Sequence, residues 1–133
     1  MWIKWLEECR TLTELQRHLG LSSKSAALAW ARKNVPLESE YQDRIIKYLE
    51  DTFPDAAVWK QANGVYSSMN GLPDVAMLHR GQYYAFEVKR PFLGKVTAIQ
   101  RITIRRLKRA GGKVYVVIYV SDVKKIIKAL GLI

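Results

Sequence analysis

Gly71-Leu72-Pro73-Asp74-Val75-Ala76-Met77-Leu78-His79-Arg80-Gly81-Gln82-Tyr83-Tyr84-Ala85-Phe86-Glu87-Val88-Lys89 is the stretch on which the reading of this 133-residue chain turns. Its apolar residues fall into two runs, 74–79 and 83–89, around Arg80-Gly81-Gln82, which predicts two antiparallel strands and a tight turn. A hairpin centred between Arg80 and Gly81 sets Asp74 directly opposite Glu87. Side chains so opposed sit roughly 4.5–5.5 Å apart at Cβ, and like charges there are destabilising. Glu87 and Lys89, two apart, share a sheet face. The register carries the inference, because a slip of one residue sends every side chain to the opposite face.

Two carboxylates held together need a proton, a cation, or Lys89 as partner. Hard oxygen ligands at this spacing suit Mg2+ or Mn2+, with water and a substrate phosphate completing the shell. Such an ion polarises a phosphodiester and lowers the pKa of bound water. Lys89 would then orient or deprotonate the attacking water, or stabilise the charged transition state. The same residues also allow a surface Asp–Lys–Glu network, but the apolar character of both runs argues against an idle surface hairpin.

Outward from the hairpin, the periodicity predicts an amphipathic helix over 37–52 and a short strand over 57–61. A polar loop follows over 62–72, glycine-rich and placed to close over a bound strand. Beyond the hairpin come a helix over 96–110 closed by Gly111-Gly112, an apolar strand over 113–120, and a last helix capped by Ser121 and running through Leu130. The strand over 113–120 reads as buried on both faces. The order α-β-β-β-α-β-α implies an α/β fold with a mixed central sheet flanked by helices.

Residues 1–36 differ in character and hold three of the four tryptophans. Trp2, Leu6 and Cys9 share one helical face, and Leu12, Leu15 and Leu19 another that stops at Gly20. A third helix starts at Ser22 or Ser23 and ends before Pro36. Two descriptions fit this small helical segment equally: a helix-turn-helix-like reader of DNA, or a bundle that caps the domain over 37–133.

Gly71-Leu72-Pro73-Asp74, followed thirteen residues on by Glu87-Val88-Lys89, matches the PD-(D/E)XK nuclease signature. More closely, the chain resembles the VRR-NUC (virus-type replication-repair nuclease) family from about Glu38 to Val120. The resemblance includes Glu38-Ser39 before Tyr41-Gln42, the GxPD turn, Glu87-Val88-Lys89-Arg90-Pro91, and a downstream helical Gln100. It implies a restriction-endonuclease-like core in which Asp74, Glu87 and the Val88 carbonyl hold Mg2+, with Mn2+ able to substitute. It further implies that Glu38 acts on the ion directly or through water, that Lys89 works on the attacking water, and that Gln100 positions Lys89 or a phosphate. Lys60 matches a basic position of the family and is a candidate for contact with the scissile strand. Stand-alone members look like viral resolvases, which implies a homodimer cutting branched DNA such as four-way junctions or flaps.

Helix geometry bears on two of these residues without the family. Tyr41, Gln42, Ile45, Ile46, Tyr48 and Leu49 spread over one face of the helix over 37–52, and Glu38 lies near its centre. A carboxylate there needs a partner, since buried unpaired charge is costly. The metal cluster supplies one; alternatively Glu38 only favours the helix N-terminus electrostatically. Gln100 falls in the inward stripe of Ile99, Thr103, Ile104 and Leu107, as a site residue or as a satisfied core glutamine.

The charge balance points the same way. Twenty-two Lys and Arg against 12 Asp and Glu give +10, which favours a polyanionic partner. Residues 89–113 carry Lys89, Arg90, Lys95, Arg101, Arg105, Arg106, Lys108, Arg109 and Lys113 without one acid. Arg101, Arg105, Lys108 and Arg109 form one outward stripe, so with Lys60, Arg90 and Lys95 they are the candidate DNA contacts. With no aromatic interleaved, the stripe suits phosphate contact rather than base readout. Ile102, outward between arginines, is a candidate dimer contact.

Much is excluded. One cysteine permits no internal disulfide and points to a reducing compartment, here a cytoplasm. No run reaches the roughly 18 apolar residues of a membrane span, and the first residues are too acidic for a secretory leader. His18 and His79 lack ligand spacing, Cys9 lacks a base, and no P-loop or dinucleotide fingerprint calls for a small-molecule substrate. The expectation is therefore a Mg2+-dependent DNA endonuclease. Its rivals are a non-catalytic DNA-binding protein and a sequence-specific restriction-like enzyme.

Overall fold

The structure, a computed structural model, describes residues 2–62 and 69–133. Among these, five helices and four strands follow in the order α1 (Leu12–Leu19), α2 (Lys24–Asn34), α3 (Glu38–Thr52), β1 (Ala57–Lys60), β2 (Val75–His79), β3 (Gln82–Val88), α4 (Ala98–Arg109), β4 (Lys113–Val117) and α5 (Val120–Ala129). The strands form one sheet in the order β1-β2-β3-β4, antiparallel except for the parallel β3–β4 pair. This is the expected mixed α/β core. The glycine-rich loop expected over 62–72 falls, in its central part, outside the described residues.

The β2–β3 register pairs Val75 with Phe86, Ala76 with Ala85 and His79 with Gln82, as the sequence predicts. Arg80 and Gly81 have φ of 49° and 80°, both left-handed. Two such residues make the type I′ turn whose twist matches that of the flanking strands. The turn thus locks the parity of the hairpin and, with it, the faces of Asp74, Glu87 and Lys89.

Alternation divides the sheet into two faces. Val75, Met77, Tyr84, Phe86, Val88 and Val117 pack with Tyr41, Ile45 and Leu49 of α3 and with Val123 and Ile127 of α5. Leu6, Leu15, Ala27, Ala31 and Val35 belong to that same core, so residues 1–36 pack directly on the nuclease-like part. On the other face Ala85 and Val114 lie under Ile104 of α4, with Tyr83, Val96 and Leu107 at the margin.

Several local expectations need correction. The face of Trp2, Leu6 and Cys9 forms a short 3-10 turn, Lys4–Glu8, with no side-chain cap, although Leu6 and Cys9 are buried as expected. β4 ends at Val117 and is an edge strand, so Val116 remains 49% exposed rather than buried on both faces. The apolar run continues to Val120 because Tyr119, at the turn, is itself buried and donates its hydroxyl proton to the Leu6 carbonyl at 2.9 Å. Asp122, not Ser121, caps α5: its Oδ2 accepts from the N–H groups of Ile118 and Tyr119, each at 3.0 Å. Arg10 pairs with the same carboxylate. Burial alone would raise the Asp122 carboxyl, but the bonds from Arg10, Tyr119 and Ile118 outweigh it and hold the group below the usual range. Ile99 is 57% exposed, because the first turn of α4 rides on the loop before β2 rather than on the sheet.

Candidate metal centre

Three elements converge at one end of the sheet. Asp74 ends the loop into β2, Glu87 sits near the end of β3, and Glu38 opens α3. Each offers a carboxylate oxygen, and the three oxygens lie within 4.8 Å of one another. Asp74 is fixed by its Oδ2, which accepts from the Val88 N–H at 2.8 Å. Its carbonyl accepts from the Gln61 N–H, also at 2.8 Å, which extends the β1–β2 ladder by one residue. Glu38 is held by the Gln42 side-chain amide at 3.4 Å and by the Arg90 backbone N–H.

Lys89 and Gln100 complete the group. Lys89 Nζ donates to Gln100 Oε1 at 2.9 Å and stands 3.5 Å from Glu87 Oε1. Gln100 Nε2 donates to Glu87 Oε1 at 3.2 Å, so one amide spans both partners. The same Gln100 Oε1 accepts the Thr97 N–H while Thr97 Oγ1 accepts the Gln100 N–H, the reciprocal arrangement that caps α4. The helix start therefore fixes the amide that orients the lysine.

Without a cation the cluster is electrostatically unfavourable. Glu87 is fully buried. Burial first, then the neighbouring Asp74 carboxylate, raises its carboxyl far above the ordinary range, and Lys89 offsets only part of this. Glu38 is raised as well, by burial and by Asp74, against the countering Lys89, Arg90 and Gln42. Glu87 Oε2 is buried and has no hydrogen-bond partner among the described residues. A buried carboxylate with one unpartnered oxygen, clustered with two further carboxylates, is an arrangement that a hard cation satisfies. The donors are all oxygens, with no imidazole or thiolate among them, which fits Mg2+ or Mn2+ better than Zn2+.

The loop into Asp74 is held as tightly. Gly71 has φ of +74°, and a Cβ there would lie 2.7 Å from Ile99 Cγ2 and 2.8 Å from the Ile99 carbonyl oxygen. Thr103 on α4 donates its hydroxyl to the Asn70 carbonyl at 2.5 Å. The glycine of the GxPD turn is thus where the chain crosses α4 in direct backbone contact.

No family model matches the sequence, and no curated protein matches it either. Among solved structures the chain is similar to one described as a VRR_NUC domain, at 27% identity and a TM-score of 0.57, over 68% of this chain and 94% of that one. This likeness bears out the resemblance to the VRR-NUC family read from the sequence. The chain's mixed four-stranded sheet with flanking helices is the PD-(D/E)XK-like fold of that group of nucleases.

The residues expected at the site divide into two sets. Glu38, Asp74, Glu87, Lys89 and Gln100 come together. Lys60 and Arg90 do not. Alternation turns Lys60 to the α3 side of the sheet, where its Nζ lies 2.8 Å from Asp43. Arg90 spends its guanidinium on the chain leading out of α2, donating to the Val35 carbonyl at 2.5 Å, Pro36 at 3.1 Å and Arg32 at 3.4 Å. Lys95, Arg101, Arg105, Lys108 and Arg109 are exposed, and among the described residues none pairs with a carboxylate. One residue was not foreseen. The Gln61 side-chain amide donates to the Pro73 carbonyl at 3.1 Å and to the Tyr83 hydroxyl at 2.9 Å, bracing the turn before Asp74. A polar residue one step past Lys60, on the Asp74 side of the sheet by parity, was the available signal.

Proposed function

We propose that this protein is a Mg2+-dependent endonuclease that hydrolyses phosphodiester bonds in branched DNA and works as a homodimer. The observation that carries the reading is the orphaned oxygen of Glu87 beside Asp74 and Glu38, with Lys89 held on the same spot by Gln100. Asp74, Glu87 and Glu38 would hold the ion. So would the Val88 carbonyl, since an extended residue projects its N–H and C=O to the same edge, and the Val88 N–H already points at Asp74. The ion supplies Lewis-acid polarisation of the scissile phosphate.

The chain's own groups do the rest. Lys89, locked by Gln100 Oε1, is fixed as a donor to the attacking water or to a phosphate oxygen as negative charge builds. Gln100 holds Glu87 and Lys89 in one geometry through its two amide atoms. The exposed cations of α4 give the phosphodiester backbone a track along the helix that ends at the cluster. A four-way junction or flap presents two strands, and symmetric cutting needs two sites related by a two-fold axis, which a homodimer provides.

The test is cleavage of matched junction, flap, duplex and single-stranded substrates by pure protein in Mg2+, Mn2+ and EDTA. Metal-stimulated cutting of the branched forms ahead of the duplex is the expected result. DNA binding without metal-stimulated cleavage of any form overturns the proposal in favour of a non-catalytic DNA-binding protein. Discrete bands from a random-sequence duplex would instead assign a sequence-specific cutter.

A further inference from the structure

We propose that the Trp59 ring, exposed on the edge strand β1, is a stacking platform for an unpaired nucleobase of the bound strand. This deepens the nucleic-acid reading given above and rests on it. It begins from the register. Trp59 lies opposite Ala76, Ala76 opposite Ala85, and Ala85 beside Val114, so these four form one row on one face of the sheet. α4 covers only the far end of that row, where Ile104 packs with Ala85 and Val114. At the near end Trp59 stays 38% exposed and Leu78 45%. The two residues between, Ala76 and Ala85, are fully buried, so the accessible apolar surface at this margin belongs to the indole and Leu78.

Glu87 lies on that same face, two residues along β3 from Ala85. Two strand spacings across and two residues along place Trp59 about 12 Å from Glu87 at Cα, a few nucleotides from the cluster. The ring has a fixed seat. Tyr83 meets it at 6.5 Å between centroids and 53° between planes, and the Tyr83 hydroxyl is tied through Gln61 to the Pro73 carbonyl. The same amide therefore braces the platform and the turn that delivers Asp74.

Charge selects the occupant. The helix on the same face of the sheet carries Arg101, Arg105, Lys108 and Arg109 without an acid, which draws a phosphodiester chain rather than an apolar peptide. A paired duplex keeps its bases stacked on one another, so only an unpaired or splayed base can lie flat on an indole. Phosphates on α4 and a base on Trp59 describe a strand that enters the site with unpaired nucleotides.

The experiment uses the full chain in EDTA and reads fluorescence anisotropy with labelled oligothymidine, a forked duplex bearing an unpaired arm, and a blunt duplex. Trp59→Ala should bind the first two about tenfold more weakly and the blunt duplex within about twofold of wild type. Trp59→Phe should recover most of the loss, and abasic residues in the unpaired arm should erase the difference between wild type and Trp59→Ala. Equal binding by wild type and Trp59→Ala on every oligonucleotide overturns the platform, as does an equal loss on the blunt duplex. A dimer that Trp59→Ala converts to monomer in sedimentation also overturns it, because the face then belongs to a second copy of the chain. Wild type that cleaves with Mg2+ yet shows no Trp59 effect removes this inference alone. Trp59-dependent binding of unpaired strands without any cleavage removes the nuclease reading alone.

Discussion

Replacing Glu87 by Gln should make the metal-free protein less sensitive to rising pH than the wild type. The side chain is fully buried, its Oε2 has no hydrogen-bond partner among the described residues, and Asp74 stands beside it. Burial and that neighbour raise its folded pKa well above the value of about 4.3 expected in the unfolded chain. Between the two values the folded state holds one proton that the unfolded state does not. The stability so gained is complete below the unfolded pKa and is lost as pH rises through the folded one, at up to about 1.4 kcal/mol per pH unit. From pH 6 to pH 8 that is at most about 2.7 kcal/mol, or roughly 10 °C in Tm for a domain of this size. The substituted amide is neutral throughout and nearly the same shape, so it contributes no such slope, while every other titrating group is common to both proteins. The assay is thermal unfolding in EDTA at pH 6, 7 and 8 for wild type and Glu87→Gln. The reasoning predicts a wild-type Tm that falls relative to the variant as pH rises. It also predicts that Mg2+ or Mn2+ raises the wild-type Tm more at pH 8 than at pH 6, because the cation takes the place of the proton. Parallel pH profiles for the two proteins in EDTA would refute it.

Four other perturbations probe the remaining parts of the site. Lys89→Ala should lower kcat at least about a hundredfold, and Gln100→Ala about tenfold, with DNA affinity in EDTA unchanged for both by anisotropy. Replacing Arg101 and Arg105 together by Ala should reduce the slope of log K against log salt by about 1.8 on any DNA, since each lost phosphate contact removes about 0.9, and leave metal-induced stabilisation intact. Gly71→Ala should lower stability by about 2 kcal/mol in a denaturant titration, because a side chain at φ of +74° is strained and meets the Ile99 carbonyl. It should also weaken metal binding by displacing Asp74.

What could be read from the sequence was whatever parity decides. A two-residue turn at Arg80-Gly81 fixes which hairpin residues face which, so Asp74, Glu87 and Lys89 are legible as a cluster from the sequence alone. The 3.6-residue period likewise brought Glu38 and Gln100 to the correct faces of α3 and α4. Parity does not say what covers a face. The apolar run from Lys113 to Val120 reads as a doubly buried strand, but its last residues turn into α5, and Tyr119 there is buried by a contact with Leu6, more than a hundred residues away in sequence. Lys60 read as a strand contact although its parity opposes that of the cluster, and its partner Asp43 belongs to a helix that periodicity treats separately.

Arg90 shows why a basic residue beside a catalytic motif is ambiguous until tertiary structure is known. Its backbone N–H supports Glu38, while its guanidinium satisfies carbonyls at Arg32, Val35 and Pro36, groups left bare where α2 ends. One residue thereby fastens the N-terminal helices to the start of α3 and so to a carboxylate of the cluster. Residues 1–36 are joined to the site through the contacts of Arg90. Removing them should strip Leu6, Leu15, Ala27, Ala31 and Val35 from the core, leave the Arg90 charge without its three acceptors and loosen Glu38, with no need for the segment to touch DNA.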